Sequence, residues 1–173
     1  MKVIFLDIDG VLNTSKTFKD NYKYYKETGI RRINIDEHRV KILSEIVNKT
    51  EAKIVISGTL RIHLFKGNNG FITVNQHTQE LLDLFDEYGI KIYDITSIDK
   101  DRIRQNEINT YLSLNEVEEF IIIDDDSQDL TDFIDNELIK PNYFEKDGKA
   151  GLCEEHIDII VNKLNNKKLI KKL

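Results

Sequence analysis

The sequence predicts an α/β fold: a Rossmann-like three-layer sandwich with a central parallel sheet. Three observations carry that reading. Short apolar runs alternate with amphipathic segments of helical length. The best runs, Phe120-Ile121-Ile122-Ile123 above all, are apolar at every position, as strands covered on both faces must be. Acidic or small polar residues come directly after three of the runs, at the edge where open α/β sheets bind ligands.

Local pattern gives the elements. Val3-Ile4-Phe5-Leu6 is the first strand. Residues 14 to 33 are polar and aromatic and receive no assignment. Residues 36 to 49 read as a helix with Val40, Leu43 and Val47 on one face. Lys53-Ile54-Val55-Ile56-Ser57 is the second strand, and residues 61 to 74, with Gly67 and Gly70, read as irregular. A helix over residues 78 to 88 turns Leu81, Leu82 and Phe85 inward and ends at Gly89. Residues 90 to 95 form the third strand, 101 to 113 a helix, and 120 to 123 the fourth strand. A short strand is expected near Leu138-Ile139. The last helix carries Ile157, Ile160, Val161 and Leu164 at helical spacing. Parallel crossovers are right-handed, so all these strands end on one edge.

A chain of 173 residues, 40% hydrophobic and 32% charged, suits a single globular domain, 1–173. No apolar run is long enough to span a bilayer, so no membrane association is expected. The first apolar run stops at Asp7, too soon for a signal peptide. One cysteine, Cys153, suits a reducing cytoplasm. The net charge of −6 speaks against a general nucleic-acid coat protein. No obligate protein partner is evident. The four histidines, His38, His63, His77 and His156, lack the spacing of zinc ligands.

The chemistry gathers at the strand ends. The first strand runs into Asp7-Ile8-Asp9-Gly10, the second into Ser57-Gly58-Thr59, and the fourth into Asp124-Asp125-Asp126, with Asp129 beyond. A strand-to-turn punctuation would explain Asp7 or Asp9 alone. Carboxylates converging on one edge from distant segments repel by several kcal/mol per pair at an effective dielectric of about 20. A divalent cation relieves that repulsion, and oxygen ligands of this kind suit magnesium. A carboxylate can attack phosphorus, cations can neutralise the phosphate, and a second carboxylate two residues on can protonate the leaving oxygen. Gly10 permits a tight turn that offers its amide to the phosphate.

Asp7-Ile8-Asp9-Gly10-Val11 resembles the first signature of the haloacid dehalogenase (HAD) superfamily of phosphohydrolases. Ser57 at a strand end is similar to its second motif, Arg104 to its basic third, and Ile123-Asp124-Asp125-Asp126-Ser127-Gln128-Asp129 to its acidic fourth. Gly151-Leu152 before an acidic helix start resembles small members related to nucleic-acid repair proteins. The resemblance implies roles. Asp7 would be nucleophile and magnesium ligand. Asp9 would be general acid and then base, with its carbonyl on the metal. Ser57 would donate to the phosphoryl group, Arg104 would neutralise it, and Asp125 with Asp124 would complete the Mg²⁺ shell. Gly10, Gly58 and Thr59 are the further substrate-binding candidates. An acid at position 9 implies phosphate ester chemistry rather than dehalogenation. The third motif has arginine where lysine is commoner, and Lys100 competes with Arg104. Thr59 could share the role of Ser57, and the choice among Asp124, Asp125 and Asp126 stays open.

The resemblance implies a mobile flap or minimal cap just after the first signature, at residues 14–33. There Lys16, Lys19, Lys23, Lys26, Arg31 and Arg32 against Asp20 and Glu27 leave +4. Phe18, Tyr22, Tyr24 and Tyr25 are interleaved. The functional reading is a lid over a phosphorylated substrate; the plain one is a solvated, partly helical connector with tyrosines packed on the core. The basic tail, Lys167 to Lys172, reads as a helix end. The expected activity is a magnesium-dependent phosphatase acting on a small phosphorylated substrate, a nucleotide or a nucleic-acid end. The alternatives are a phosphotransferase and a catalytically silent phosphate-binding regulatory module.

Overall fold

The computed structural model describes residues 1–134, 136–145 and 149–166; the basic tail 167–172 lies outside them. Five strands form the central sheet: β1 (Lys2–Leu6), β2 (Lys53–Ile56), β5 (Ile92–Ile95), β6 (Glu119–Ile123) and β7 (Leu138–Ile139). Their order is β5-β2-β1-β6-β7 and every pairing is parallel. The helices are α1 (Ser15–Thr28), α2 (Glu37–Thr50), α3 (Gln76–Glu87), α4 (Arg104–Leu114) and α5 (Glu155–Asn166).

Alternation along the strands splits the core in two. Ile4, Leu6, Ile54, Ile56, Ile121 and Ile123 face α2, α3 and α5, meeting Val40, Leu43, Leu81, Phe85, Ile160 and Leu164. Val3, Phe5, Val55 and Ile122 face the other way, onto Ile108 and Tyr111 of α4 and onto Leu130 and Phe133. Phe5 meets Tyr111 edge to face at 5.5 Å. The result is the three-layer arrangement that the apolar strands predict.

The chain first works outward from β1 through β2 to β5, and then returns to lay β6 on the other side of β1. The strand order therefore reverses between β1 and β6. That switch point is where open α/β sheets bind ligands. It is also where Asp7 and Asp124 extend their strands.

Two stretches hold more regular structure than the sequence assigns. Residues 14 to 33 contain α1, started by a Thr14/Thr17 capping box and stopped by Gly29 at φ 72°. Residues 61 to 74 include the end of a 3₁₀ turn, Thr59–His63, and an antiparallel hairpin of β3 (Phe65–Gly67) and β4 (Gly70–Ile72). Two helix starts also move. The helix expected from residue 78 begins at Gln76, capped by Asn75. The helix expected from residue 101 begins at Arg104, where Asp129 supplies the cap: its carboxylate accepts from Arg104 N–H at 2.8 Å and its carbonyl from Gln105 N–H at 3.2 Å. Among the described residues, no helix is long and apolar enough to cross a membrane.

Candidate active site

Sheet register positions the site. Leu6 is paired with Ile56 on one side and Ile123 on the other. One residue further, the ladder continues. Ser57 N–H donates to Leu6 C=O at 3.0 Å, Asp7 N–H to Ile123 C=O at 3.0 Å and Asp124 N–H to Ile139 C=O at 3.1 Å. Thr96 N–H donates to Ile56 C=O, also at 3.0 Å. Thr96, Ser57, Asp7 and Asp124 thus form a row along the C-terminal edge.

Asp7, Asp124 and Asp125 each place a carboxylate oxygen within 4.8 Å of the others. Asp7 is buried and Asp124 fully so. Burial, reinforced by the Asp124 charge, pushes the Asp7 carboxyl up to about 7. Burial pushes Asp124 up to about 6, against the lowering pull of Arg104. Asp125 is raised as well, again chiefly by burial.

Among the described residues, Arg104 is the cation that pairs with these acids. It forms an ion pair with Asp124 and stands 3.8 Å from Asp7 Oδ2. Lys100 is exposed, and its backbone N–H is bound to the Asp99 carboxylate at 2.7 Å. The geometry therefore brings Arg104 rather than Lys100 to the acids. Asp126 is exposed and gives its N–H to Asp124 Oδ1 at 2.9 Å. Thr59 is exposed at the start of its 3₁₀ turn. The Ser57 and Thr96 hydroxyls are buried without a partner among the described residues, which leaves them able to bond a ligand.

Two glycines leave the room that the carboxylates occupy. A Cβ on Gly58 would lie 1.7 Å from Asp7 Oδ1, and one on Gly10, at φ 77°, would lie 2.1 Å from Asp125 Cγ. The Gly10 amide is not open to a phosphate as expected: it donates to Asn13 Oδ1 at 2.9 Å. Asn13 Nδ2 in turn donates to Asp9 Oδ1 at 2.8 Å. Asp9 is exposed, close enough for its charge to act on both Asp7 and Asp125, but its side chain stands outside the buried cluster.

Besides Thr96, three contributors escape the sequence reading. Asn13 orients Asp9; the signal is an asparagine four residues after it, within one turn. Arg61 and Glu107 form a buried ion pair beneath the site. Arg61 also donates to the Ser57 and Gly58 carbonyls, the latter at 2.8 Å, while Glu107 Oε1 accepts from Asp99 N–H at 2.8 Å. This pair ties the loop after β2 to α4. No local pattern announces a partner 46 residues away.

Residues 3–157, β1 through the first turn of α5, match a family described as the HAD domain in Swiss Army Knife RNA repair proteins. The chain belongs to that family. No curated protein and no solved structure matches the chain.

The residues of this HAD domain fit a divalent metal. Three carboxylates face one guanidinium, so a cation with oxygen preference removes the excess charge. Asp7, Asp124 and Asp125 are the side chains that would hold it.

The raised carboxyls also set how stability depends on pH. A carboxyl raised on folding favours the folded state below its ordinary value, and that advantage is lost as pH climbs through the raised one. With chelator present, the melting temperature should fall from about pH 4 to about pH 7, the window of Asp7 and Asp124. Magnesium should restore it more at pH 8 than at pH 5, and Asp7→Asn should flatten the profile. A melting temperature that rises through this window without metal would contradict the picture.

Proposed function

We propose that this HAD domain is a magnesium-dependent phosphomonoesterase that works through a phosphorylated Asp7. The gathering of Asp7, Asp124, Asp125 and Arg104 at the switch point of the sheet is the observation that supports it most. Membership in a family described by RNA repair proteins supports a nucleotide or nucleic-acid end as the carrier of the phosphate.

In this reading an Asp7 carboxylate oxygen attacks phosphorus, and the bond from phosphorus to the ester oxygen breaks. Asp9, held by Asn13 at the rim, gives the leaving oxygen its proton. Water then attacks the phosphorus, Asp9 takes the proton of that water, and the bond from phosphorus to the Asp7 oxygen breaks, which releases the carboxylate and inorganic phosphate. Ser57 offers its hydroxyl, which has no partner among the described residues, and Arg104 its charge to the phosphoryl oxygens. Bound at Asp7, Asp124 and Asp125, magnesium would supply the positive charge that offsets the negative charge on the phosphoryl oxygens. Asp124 already has one oxygen on Arg104 and the other on Asp126 N–H. Asp125 is therefore the freer acid for the metal.

The test is phosphate release from a generic aryl phosphate, from nucleotides and from phosphorylated oligonucleotides. Release should stop with chelator and return with Mg²⁺. An alkyl phosphate formed in the presence of added alcohol would mark a phosphotransferase. No magnesium-dependent release from any of these substrates would overturn the proposal in favour of a silent phosphate-binding module.

A further inference from the structure

Positive charge is unevenly spread. Residues 14–33 hold +4 within a chain of net −6. In the structure these residues form α1 and the return segment that leads to α2. Phe18, Asn21, Tyr22 and Tyr25 occupy positions i, i+3, i+4 and i+7, one face of α1. That face is not buried in the core. Together with Arg31, Arg32 and Asn34 on the return, and His77 at the start of α3, it lines a groove of about 450 Å³.

The lining combines ring faces with cations. Phe18, Tyr22 and Tyr25 are all exposed. The Arg32 guanidinium lies 3.5 Å from the centre of the Tyr24 ring, and Arg31 lies 5.6 Å from that of Tyr25. Among the described residues, no carboxylate pairs with either guanidinium. Lys16 and Lys23, by contrast, are paired with Asp20 and Glu27. His77 has the Glu80 carboxylate at 3.5 Å. The groove is also held in shape: Asn21 Nδ2 donates to Ile33 C=O at 2.7 Å and to Asn34 Oδ1 at 3.0 Å, which pins the return against the helix.

We infer that this groove binds single-stranded nucleic acid, with bases stacked on Tyr22 and Tyr25 and backbone phosphates on Arg31 and Arg32. Stacking platforms interleaved with cations are what an unpaired strand needs, and a duplex would hide the ring faces of its bases. The inference deepens the proposed function by naming the polymer that carries the phosphate, and its catalytic relevance rests on that reading. The link between the two sites is Thr14, which caps α1 directly after Asn13, the residue that holds Asp9. Phe18 comes four residues later, about 6 Å along the helix axis at 1.5 Å per residue. A strand whose terminal phosphate sits at Asp7 would run its next nucleotides along this face.

Binding is measured by fluorescence anisotropy on the full chain, with short single-stranded RNA and DNA probes that carry no terminal phosphate. Such probes report the groove without calling on phosphatase chemistry. Saturable binding is expected. Tyr22→Leu/Tyr25→Leu should weaken it by about 10-fold or more. Arg31→Ala/Arg32→Ala should reduce the salt dependence by about 1.4 in log–log slope, from two lost phosphate contacts at roughly 0.7 each. Lys23→Ala, which removes a cation already paired with Glu27, should leave affinity within about twofold of the native chain. Circular dichroism on each variant establishes that the helix persists. Absence of binding would overturn the inference, as would equal affinity of the tyrosine pair and the native chain. A poly-glutamate peptide that competes as well as the oligonucleotide would reduce the groove to a charge sink and overturn it too. Oligonucleotide binding without any phosphate release would instead keep the groove and remove the phosphatase.

Discussion

Asp7→Asn should lower magnesium-dependent phosphate release by at least ~10⁴-fold while the chain stays folded. Asparagine has the shape of aspartate and fits the space that Gly58 leaves, where Asp7 Oδ1 now rests. It cannot form a stable phospho-enzyme, because its amide oxygen is a poor nucleophile. It also removes one of three crowded acids, so the metal-free variant should melt higher than the native chain at pH 8. The two readouts move in opposite directions, which separates loss of chemistry from loss of fold. Residual activity within tenfold of native would show that Asp7 does not carry the phosphoryl group.

Glu107→Ala should cost about 3–5 kcal/mol of stability and lower the melting temperature by on the order of 10 °C. The alanine leaves Arg61 as a buried charge without its counterion and deprives Asp99 N–H of its acceptor. The double variant Arg61→Met/Glu107→Leu should regain much of that loss, since a buried ion pair replaced by apolar groups of similar size is often neutral. It should not regain activity. Arg61 holds the Ser57 and Gly58 carbonyls, and without it the loop that offers the Ser57 hydroxyl and backs Asp7 is free to shift. A misplacement of about 1 Å at a reacting group can cost on the order of 10²-fold. Chemical denaturation and turnover of the three variants check this. A double variant as unstable as Glu107→Ala would mean that the pair is not what the stability depends on.

Strand and site are legible for the same reason. A residue run with no polar position, such as 3–6 or 120–123, has only the middle of a parallel sheet to go to. The next residue must then stand at the edge, so sequence alone places Asp7, Ser57 and Asp124 together. The extent of α1 is illegible because its apolar face is exposed rather than buried; Phe18, Asn21, Tyr22 and Tyr25 give a mixed stripe that does not resemble a core-facing one. The β3–β4 hairpin has only three residues per strand, too short for an alternation to declare itself. Gly10 is legible as a tight turn, but the partner of its amide is not, because nothing local reveals that Asn13 folds back onto it. Arg61 and Glu107 need the fold itself to meet.

The hydrogen bonds by which Asp129 grips the start of α4 go to two backbone amides, those of residues 104 and 105. The perch at position 104 is therefore independent of who sits on it. A lysine in place of Arg104 would rise from the same point of the frame and lose the guanidinium fork, not the address. An arginine where lysine is commoner thus leaves the scaffold unchanged. Exchange of the two would tune how the anion is gripped while the surrounding architecture stands still.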